Sequence, residues 1–434
     1  MVGLRSRPLF LELDLSSEQG HALLRSVSDR YGPKIVDAAG LANRIFMLRS
    51  PWSPGVRFVG AETKRRITIE DGHTLLPISL SGSGEALEEA FVSCIGEGVD
   101  RLAQIECSGD VTVVSSLSKM RDRVWPAAIS SIEHAIVAQN LPDDVPLAWV
   151  AAKPFNSCTS SGNAWDKLVP ADWCLRRDAD GIRLPPRSAL SVGVAAGPTF
   201  EWAASRAVLE LIERDAACLW WSGGRRGKAI CLDHPGMVEV AQLAANLRQN
   251  ANDRALWMLD ITTDIGIPVV VALSCGADGR QIAYGLASRF SIKDAMRAAI
   301  LELCQTELAI LLAIIKQAED GEEKLPPSDR GHLARLFAID ASACELLHPD
   351  GVRPPSRAAG PAAELGAIGD ALGRAGVDVA FVELTRPEFG IPVVRAVAPG
   401  LQPMPSELVT ERLRRTIVEF GGGTRYTGGI PLIV

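Results

Sequence analysis

Ala195-Ala196-Gly197-Pro198-Thr199-Phe200-Glu201-Trp202-Ala203-Ala204-Ser205-Arg206-Ala207-Val208-Leu209-Glu210-Leu211-Ile212-Glu213-Arg214 joins a small-residue turn to a long helical run. An offset of 113 positions lays it over Gly82-Ser83-Gly84 to Arg101. Gly84 then falls on Gly197, Glu88 on Glu201, Ala90 on Ala203, Glu97 on Glu210, Asp100 on Glu213 and Arg101 on Arg214. A third, weaker copy follows Gly285, with Ala295, Glu302 and Gln305. In all three an alanine stands seven residues before the first acid. Three copies at uneven spacing are too few for a solenoid. Duplication inside a two-fold pseudo-symmetric core explains them better, and the expected class is α+β, with mixed sheets and long buried helices.

On a helix, positions i and i+3 share a face. Glu97 therefore points with Asp100, Glu210 with Glu213, and Glu302 with Gln305. Acid pairs at this spacing usually mark a solvated face. Here the neighbours are Phe91, Cys94, Ile95, Val99 and Leu102 in the first copy, and Val208, Leu209, Ile212, Ala216 and Leu219 in the second. Helices apolar on most sides are buried. Buried carboxylates cost several kcal/mol each, roughly, unless compensated, and Arg101 and Arg214 cannot offset five of them. Hard cations can: Mg²⁺ combines one or two carboxylates with water and phosphate oxygens. Two metals held by converging acid pairs would clamp a polyphosphate, with the arginines on the same phosphates. Structural ion pairs between buried helices are the competing reading.

A second echo sets Asp260-Ile261-Thr262 and Gly266-Ile267-Pro268-Val269-Val270-Val271 beside Glu383-Leu384-Thr385 and Gly390-Ile391-Pro392-Val393-Val394-Arg395. Each reads as strand, turn, strand. Arg395 stands where the first has Val271, either as an outward residue or as a ligand group; Arg386 and Arg289 are weaker candidates of that kind. Helices are expected over 85–105, 129–140, 198–221, 235–250, 291–317, 328–345, 361–375 and 405–419. Strands are expected over 111–117, 146–152, 256–262, 267–274, 281–287, 378–384 and 391–397. Ser16 to Tyr31 has helical spacing, and Arg44 to Leu48 is strand-like. The break at Pro51-Trp52-Ser53-Pro54-Gly55 helps set off a small N-terminal α+β segment, 1–65, from a catalytic domain, 66–434. Segments 153–190 and 347–360 read as loops, and the glycine-rich 421–429 as a supple tail with an apolar tip.

The chain has 434 residues, 47% hydrophobic and 22% charged, with net charge −7. This is ordinary globular composition. A pI near 5.6 argues against nucleic-acid binding through a basic face. The start has no secretory h-region, and no run reaches ~18 uninterrupted apolar residues. Nine scattered cysteines form no CxxC pair; they read as reduced core residues of a cytoplasmic protein with no membrane partner. A phosphate loop, a GxGxxG turn, an HExxH pair and a nucleophile elbow are all missing. Gly223-Gly224-Arg225-Arg226-Gly227-Lys228-Ala229 lacks the phosphate loop's spacing and hydroxyl. The six histidines show no ligand spacing. A nucleotide site here is of an unusual kind.

These residues resemble the YcaO family. Ser191 to Gly197 running into Glu210-Leu211-Ile212-Glu213-Arg214 is similar to its signature. Ser93-x-x-x-Glu97-x-x-Asp100-Arg101 follows its SxxxExxER element with Asp in the second acid position, and Glu302-x-x-Gln305 matches ExxQ. Thr385 through Arg395 and Pro399-Gly400-Leu401 match its C-terminal strands, so the resemblance runs from about residue 75 to the end. It implies ATP and Mg²⁺ as cofactors. By carry-over, Glu97, Asp100, Glu210, Glu213 and Glu302 hold metal. Ser93, Arg101, Arg214, Gln305 and Arg395 touch the nucleotide, and Glu97, Glu210, Glu213 and Arg214 carry catalysis.

The implied reaction activates a peptide backbone amide, cyclodehydrating Cys, Ser or Thr of a ribosomal precursor peptide to a thiazoline or oxazoline. The sister activity makes a thioamide, and a fold retained only for binding or scaffolding is the non-enzymatic alternative. The tail ends in Ile430-Pro431-Leu432-Ile433-Val434 rather than the PxPxP of many cyclodehydratases. Arg206 stands where the first copy has Ser93. The segment before residue 60 is short for a leader-binding domain. A separate leader-binding partner subunit is therefore expected, with a flavin-dependent dehydrogenase beside it as in microcin-type synthetases and a homodimer within the complex.

Overall fold

The computed structural model describes residues 9–66, 77–155, 167–177, 183–186, 191–230, 237–249, 251, 253–352, 364–405 and 408–432. In chain order the elements are β1 (Phe10–Glu12), α1 (Glu18–Tyr31), α2 (Pro33–Ala38), β2 (Ala42–Leu48), β3 (Arg57–Arg66), β4 (Pro77–Gly84) and α3 (Leu87–Ala103). Next come β5 (Val113–Ser115), α4 (Leu117–Met120), α5 (Pro126–Ala138), β6 (Leu147–Pro154), β7 (Lys167–Pro170), β8 (Val194–Ala196) and α6 (Phe200–Trp221). Then follow β9 (Lys228–Ala229), α7 (Val238–Arg248), β10 (Arg254–Asp260), β11 (Val269–Gly276), β12 (Ala283–Ser288) and α8 (Ile292–Asp320). The last are α9 (Pro327–Ala338), α10 (Glu364–Arg374), β13 (Ala380–Glu383), β14 (Val393–Val397) and α11 (Glu411–Phe420).

The strands form three antiparallel sheets, ordered β1-β2-β3-β4, β12-β11-β10-β9 and β5-β6-β13-β14-β8, with β7 paired to β6. One strand of each runs by a short turn into a long helix: β4 into α3, β8 into α6 and β12 into α8. The alanines that align the three copies, Ala90, Ala203 and Ala295, are all fully buried. Thr199 caps α6 by accepting from Trp202 N, and Ser291 caps α8 from Asp294 N. At the start of α3, Glu89 Oε2 accepts from Glu85 N at 3.2 Å, in place of a capping hydroxyl. Three buried clusters result, one around each long helix.

The two echoed hairpins are real and share one hydrogen bond. Thr262 Oγ1 accepts from Val269 N at 3.0 Å, and Thr385 Oγ1 from Val393 N at 3.1 Å. Each turn passes through a glycine at positive φ, Gly266 and Gly390.

Other expectations need correction. Gly82-Ser83-Gly84 is the end of β4 rather than a turn, paired as Val59↔Gly82, Phe58↔Ser83 and Arg57↔Gly84. Glycine stands at 82 because an added Cβ would lie 2.3 Å from Ala90 O and Cys94 N of α3. The boundary expected at 65/66 falls inside β3, and β3 is bonded to the strand that launches α3. The helix expected to 345 stops at Ala338, where Asp340 turns its carboxylate back onto Ser342 N and Oγ. The last helix starts at Glu411, capped by Thr410. The loop-like segment 153–190 contains β7.

The glycine-rich tail is docked, not supple. Gly423 N donates to Ser222 O at 2.7 Å and Trp221 Nε1 to Ile430 O at 2.7 Å, while Leu432 is buried. Gly422 lies against Gly223 and Gly224 too closely for any side chain. Residues 433 and 434 of the apolar tip lie outside the described residues. By length and composition α8 could cross a membrane, but half of its most apolar window is buried within the protein, against β11 and β12. The seven described cysteines are free thiols, all but Cys107 buried.

Candidate functional site

α3, α6 and α8 converge on one cavity of about 1490 Å³. Ser93, Glu97, Asp100, Glu210, Glu213, Arg214, Glu302 and Gln305 all line it. Each helix holds its first acid by a backbone bond from its own launching strand or the turn before it. Glu97 Oε2 accepts from Ser81 N at 2.8 Å, Glu210 Oε2 from Gly193 N at 2.9 Å, and Glu302 takes a backbone hydrogen bond from Leu286. Glu213 reaches across instead and accepts from Ser288 N of β12 at 3.1 Å, tying α6 to the sheet beneath α8. Gln305 Nε2 donates to Ser81 Oγ at 2.5 Å, and its Oε1 accepts from Ser83 Oγ at 3.3 Å, tying α8 to β4.

The carboxylates form one electrostatic unit. Asp100 feels Glu97 and Glu210, and Glu213 feels Glu302 and Glu210, so Glu210 joins both groups. Arg214 lies 3.6 Å from Glu210 and 3.5 Å from Glu213, and Arg289 adds positive charge near Glu213 and Glu302. That is too little. Burial raises Glu97 and Glu302, and burial with repulsion from Glu97 and Glu210 holds Asp100 well above its ordinary range. Burial, with Glu302 and Glu210 close by, pushes Glu213 up to about 8. Among the described residues no three His, Cys, Asp or Glu close into a protein-only metal cage. Acids in pairs, raised by burial and open to a large cavity, fit Mg²⁺ shared with phosphate oxygens.

Glu307 shows what a structural buried carboxylate looks like in the same helix. It is fully buried, paired at 2.8 Å with both Nη atoms of Arg248 and at 3.1 Å with Arg254 Nε, and it accepts from Ser274 Oγ at 2.5 Å. Two guanidinium groups balance one acid there. In the cavity, Glu97, Asp100, Glu213 and Glu302 all stay raised despite the arginines near them.

Two expected ligand residues stand behind the cavity wall. Arg101 pairs with Glu97 at 2.6 Å and donates to Ser79 O at 3.2 Å, holding the acid from the rear. Arg395 is buried on β14, within the field of Glu210 and Cys174. Arg386 is structural: it donates to Ala103 O and Ile105 O past the end of α3 and pairs with Asp110 at 2.7 Å. Arg289 does line the cavity. So do residues the sequence reading passed over: Ser81, Ser83, Trp202, Tyr284, His332 and Arg335. Ser81 and Ser83 were hidden because glycines made their strand read as a turn. Arg206, the residue in place of a second Ser93, lies over the Trp202 ring at 5.1 Å.

Comparison with known proteins agrees with this geometry. The family described as YcaO cyclodehydratase, ATP- and Mg²⁺-binding, matches residues 81–402. An uncharacterized protein in the tfuA 3′ region of Rhizobium leguminosarum bv. trifolii is 28% identical over 354 residues, covering 77% of this chain and 79% of its own. Among solved structures, a heterocyclase in complex with substrate and cofactor superposes with TM-score 0.67 at 22% identity, covering 92% of this chain and 55% of that one. The chain thus spans about half of that heterocyclase. YcaO from Methanopyrus kandleri, bound with AMPPCP and Mg²⁺, gives TM-score 0.60 at 18% identity, covering 90% and 94%. The E. coli microcin synthetase McbBCD complex gives 0.59 at 15%, covering 82% and 88%. At these identities the structures establish the fold, mixed helices and antiparallel sheets. The family match spans most of the chain, and with the acid-lined cavity it gives one conclusion: this protein belongs to the YcaO family of ATP- and Mg²⁺-binding proteins.

Proposed function

We propose that this protein is an ATP-dependent peptide cyclodehydratase subunit. It would activate a backbone amide of a ribosomal precursor peptide and convert Cys, Ser or Thr to thiazoline or oxazoline with net loss of water. The observation that supports this most is the convergence of Glu97, Asp100, Glu210, Glu213 and Glu302 on one cavity, where burial raises four of them despite nearby arginines. Mg·ATP, when bound, supplies an electrophilic phosphoryl group for an amide oxygen, its charge shared with the metal ions. The chain's own part is to hold carboxylate oxygens in place before any ligand arrives, through Ser81 N, Gly193 N, Ser288 N and Leu286. Such preorganisation is the usual source of catalysis at a phosphoryl centre. Arg214, between two of the acids, offers guanidinium donors to anionic oxygens. Arg101 acts on Glu97 as a positioning residue.

The E. coli likeness is to a synthetase complex, and the heterocyclase was solved with its substrate. A leader-binding partner subunit and a flavin-dependent dehydrogenase are the partners this reading proposes, in the cytoplasm and around a homodimer. Calorimetry tests the site: wild type binds Mg·ATP, and Glu302→Gln loses at least about tenfold in affinity, about 1.4 kcal/mol. A wild type that binds no Mg·ATP, alone or with partners, leaves only a scaffold. Mass spectrometry of a co-expressed precursor tests the reaction. Loss of about 18 Da per modified residue marks cyclodehydration, and a gain of about 16 Da marks oxygen-to-sulfur exchange.

A further inference from the structure

We propose that Arg335, on α9, forms an oxyanion subsite in the cavity wall, separate from the acid cluster, for the two-oxygen edge of a phosphate or carboxylate group. Asp329, His332 and Arg335 follow at i, i+3 and i+6, and all three line the cavity. Arg335 is 5% exposed, and its Nε and Nη2 have no hydrogen-bond partner among the described residues. Those two atoms make up one edge of the planar guanidinium, the edge that receives a carboxylate or phosphate side-on through two parallel bonds.

Among the described residues, Arg335 has no ion-pair partner. Asp329 is taken by Lys316 Nζ at 2.9 Å. The contact the structure does record is with the Tyr284 ring, 5.3 Å from the guanidinium carbon. Burial lowers Arg335, and among the described residues Tyr284 opposes it. His332 is lowered as well, by burial and by Arg335. A buried cation without an ion-pair partner costs stability that contact with an aromatic ring offsets only in part, unlike Arg248 and Arg254, which pair with Glu307. Its position gives it a use. Tyr284 feels Arg335 together with Arg214 and Glu302, so the subsite lies one aromatic ring from the acids. An anion bound there would be the next group along a ligand whose phosphates lie at the metal site.

The inference shares with the proposed function a cavity that holds a ligand, but it does not require the ligand to be ATP. Wild type, Arg335→Lys and Arg335→Met are titrated calorimetrically at low ionic strength with Mg·ATP, inorganic phosphate and glutarate, and their melting temperatures are compared. Arg335→Met is expected to melt no lower than wild type, because an unpaired cation is removed. It is expected to bind at least one probe tenfold or more weakly, with Arg335→Lys in between. Weakening toward phosphate and Mg·ATP identifies a phosphate subsite; weakening toward glutarate alone identifies a carboxylate of the substrate. Unchanged affinities for all three probes overturn the proposal. So does an Arg335→Met protein that melts below wild type, since the guanidinium would then be a packing group on Tyr284. If wild type takes up phosphate through Arg335 but no Mg·ATP, the subsite stands and the ATP reading falls.

Discussion

Glu213 carries the clearest consequence at the scale of one residue. Its carboxyl is pushed from 4.5 in an exposed chain to about 8 in the folded one. Between those values the folded ligand-free protein holds a proton that the unfolded chain has released. Stability therefore falls as pH rises from about 5 to 8 and levels off above that, because the native state binds more protons across the window. Glu213→Gln should flatten this slope and melt higher than wild type at pH 8, measured by thermal denaturation across the pH series, while binding Mg·ATP at least about tenfold more weakly. A variant that melts lower at pH 8 would show that the carboxylate is stabilising there. The acids were legible in the sequence because three helices repeat them at one spacing beside the same buried alanine. For Arg101 and Arg395, helical and strand periodicity assign a face but not a depth. Both lie just behind acids that do face the cavity.

At the scale of elements, contact between strand and helix sets where the acids stand. An added Cβ on Gly285 of β12 would lie 2.1 Å from Ala299 O and 2.2 Å from Leu303 N, in the turn of α8 that carries Glu302. Gly285→Ala must push α8 outward. It should cost about 1–3 kcal/mol in urea denaturation and weaken Mg·ATP binding with it. Gly366→Ala on α10, where no described residue lies within 4 Å of an added Cβ, should instead stabilise by up to about 1 kcal/mol through helix propensity. Loss of stability in both would mean that backbone conformation matters more than close approach. The long helices and the two Gly-Ile-Pro hairpins were readable because apolar periodicity and a repeated turn agree in them. β3 and β4 were not, because glycine and serine, selected there for a close helix and for bonds to Glu97 and Gln305, carry little strand signal.

For the molecule as a whole, the last elements are braced against the helix that carries Glu210, Glu213 and Arg214. Asp215, the next residue of α6, is fully buried and bonded by Arg412 Nε to both oxygens at 2.9 Å, with Gln402 N a second donor. Burial still raises it to about 6. Arg412→Ala would leave that carboxylate without its cation and should destabilise by roughly 3–5 kcal/mol, read in urea. Arg412→Ala combined with Asp215→Asn should recover most of the loss. A double variant as unstable as the single one would place the strain elsewhere. The tail's flexibility was inferred from glycine content alone. Glycine also permits backbone to lie on backbone, as Gly422 does on Gly223.

That docking has a bearing on how the protein is made. Trp221 closes α6, yet the carbonyl its indole bonds belongs to Ile430, 209 positions later. A ribosome finishes the acid-bearing helix long before it delivers the segment that covers the helix end. Through most of synthesis, Trp221 at the end of α6 awaits its lid, in a window when chaperones would find it.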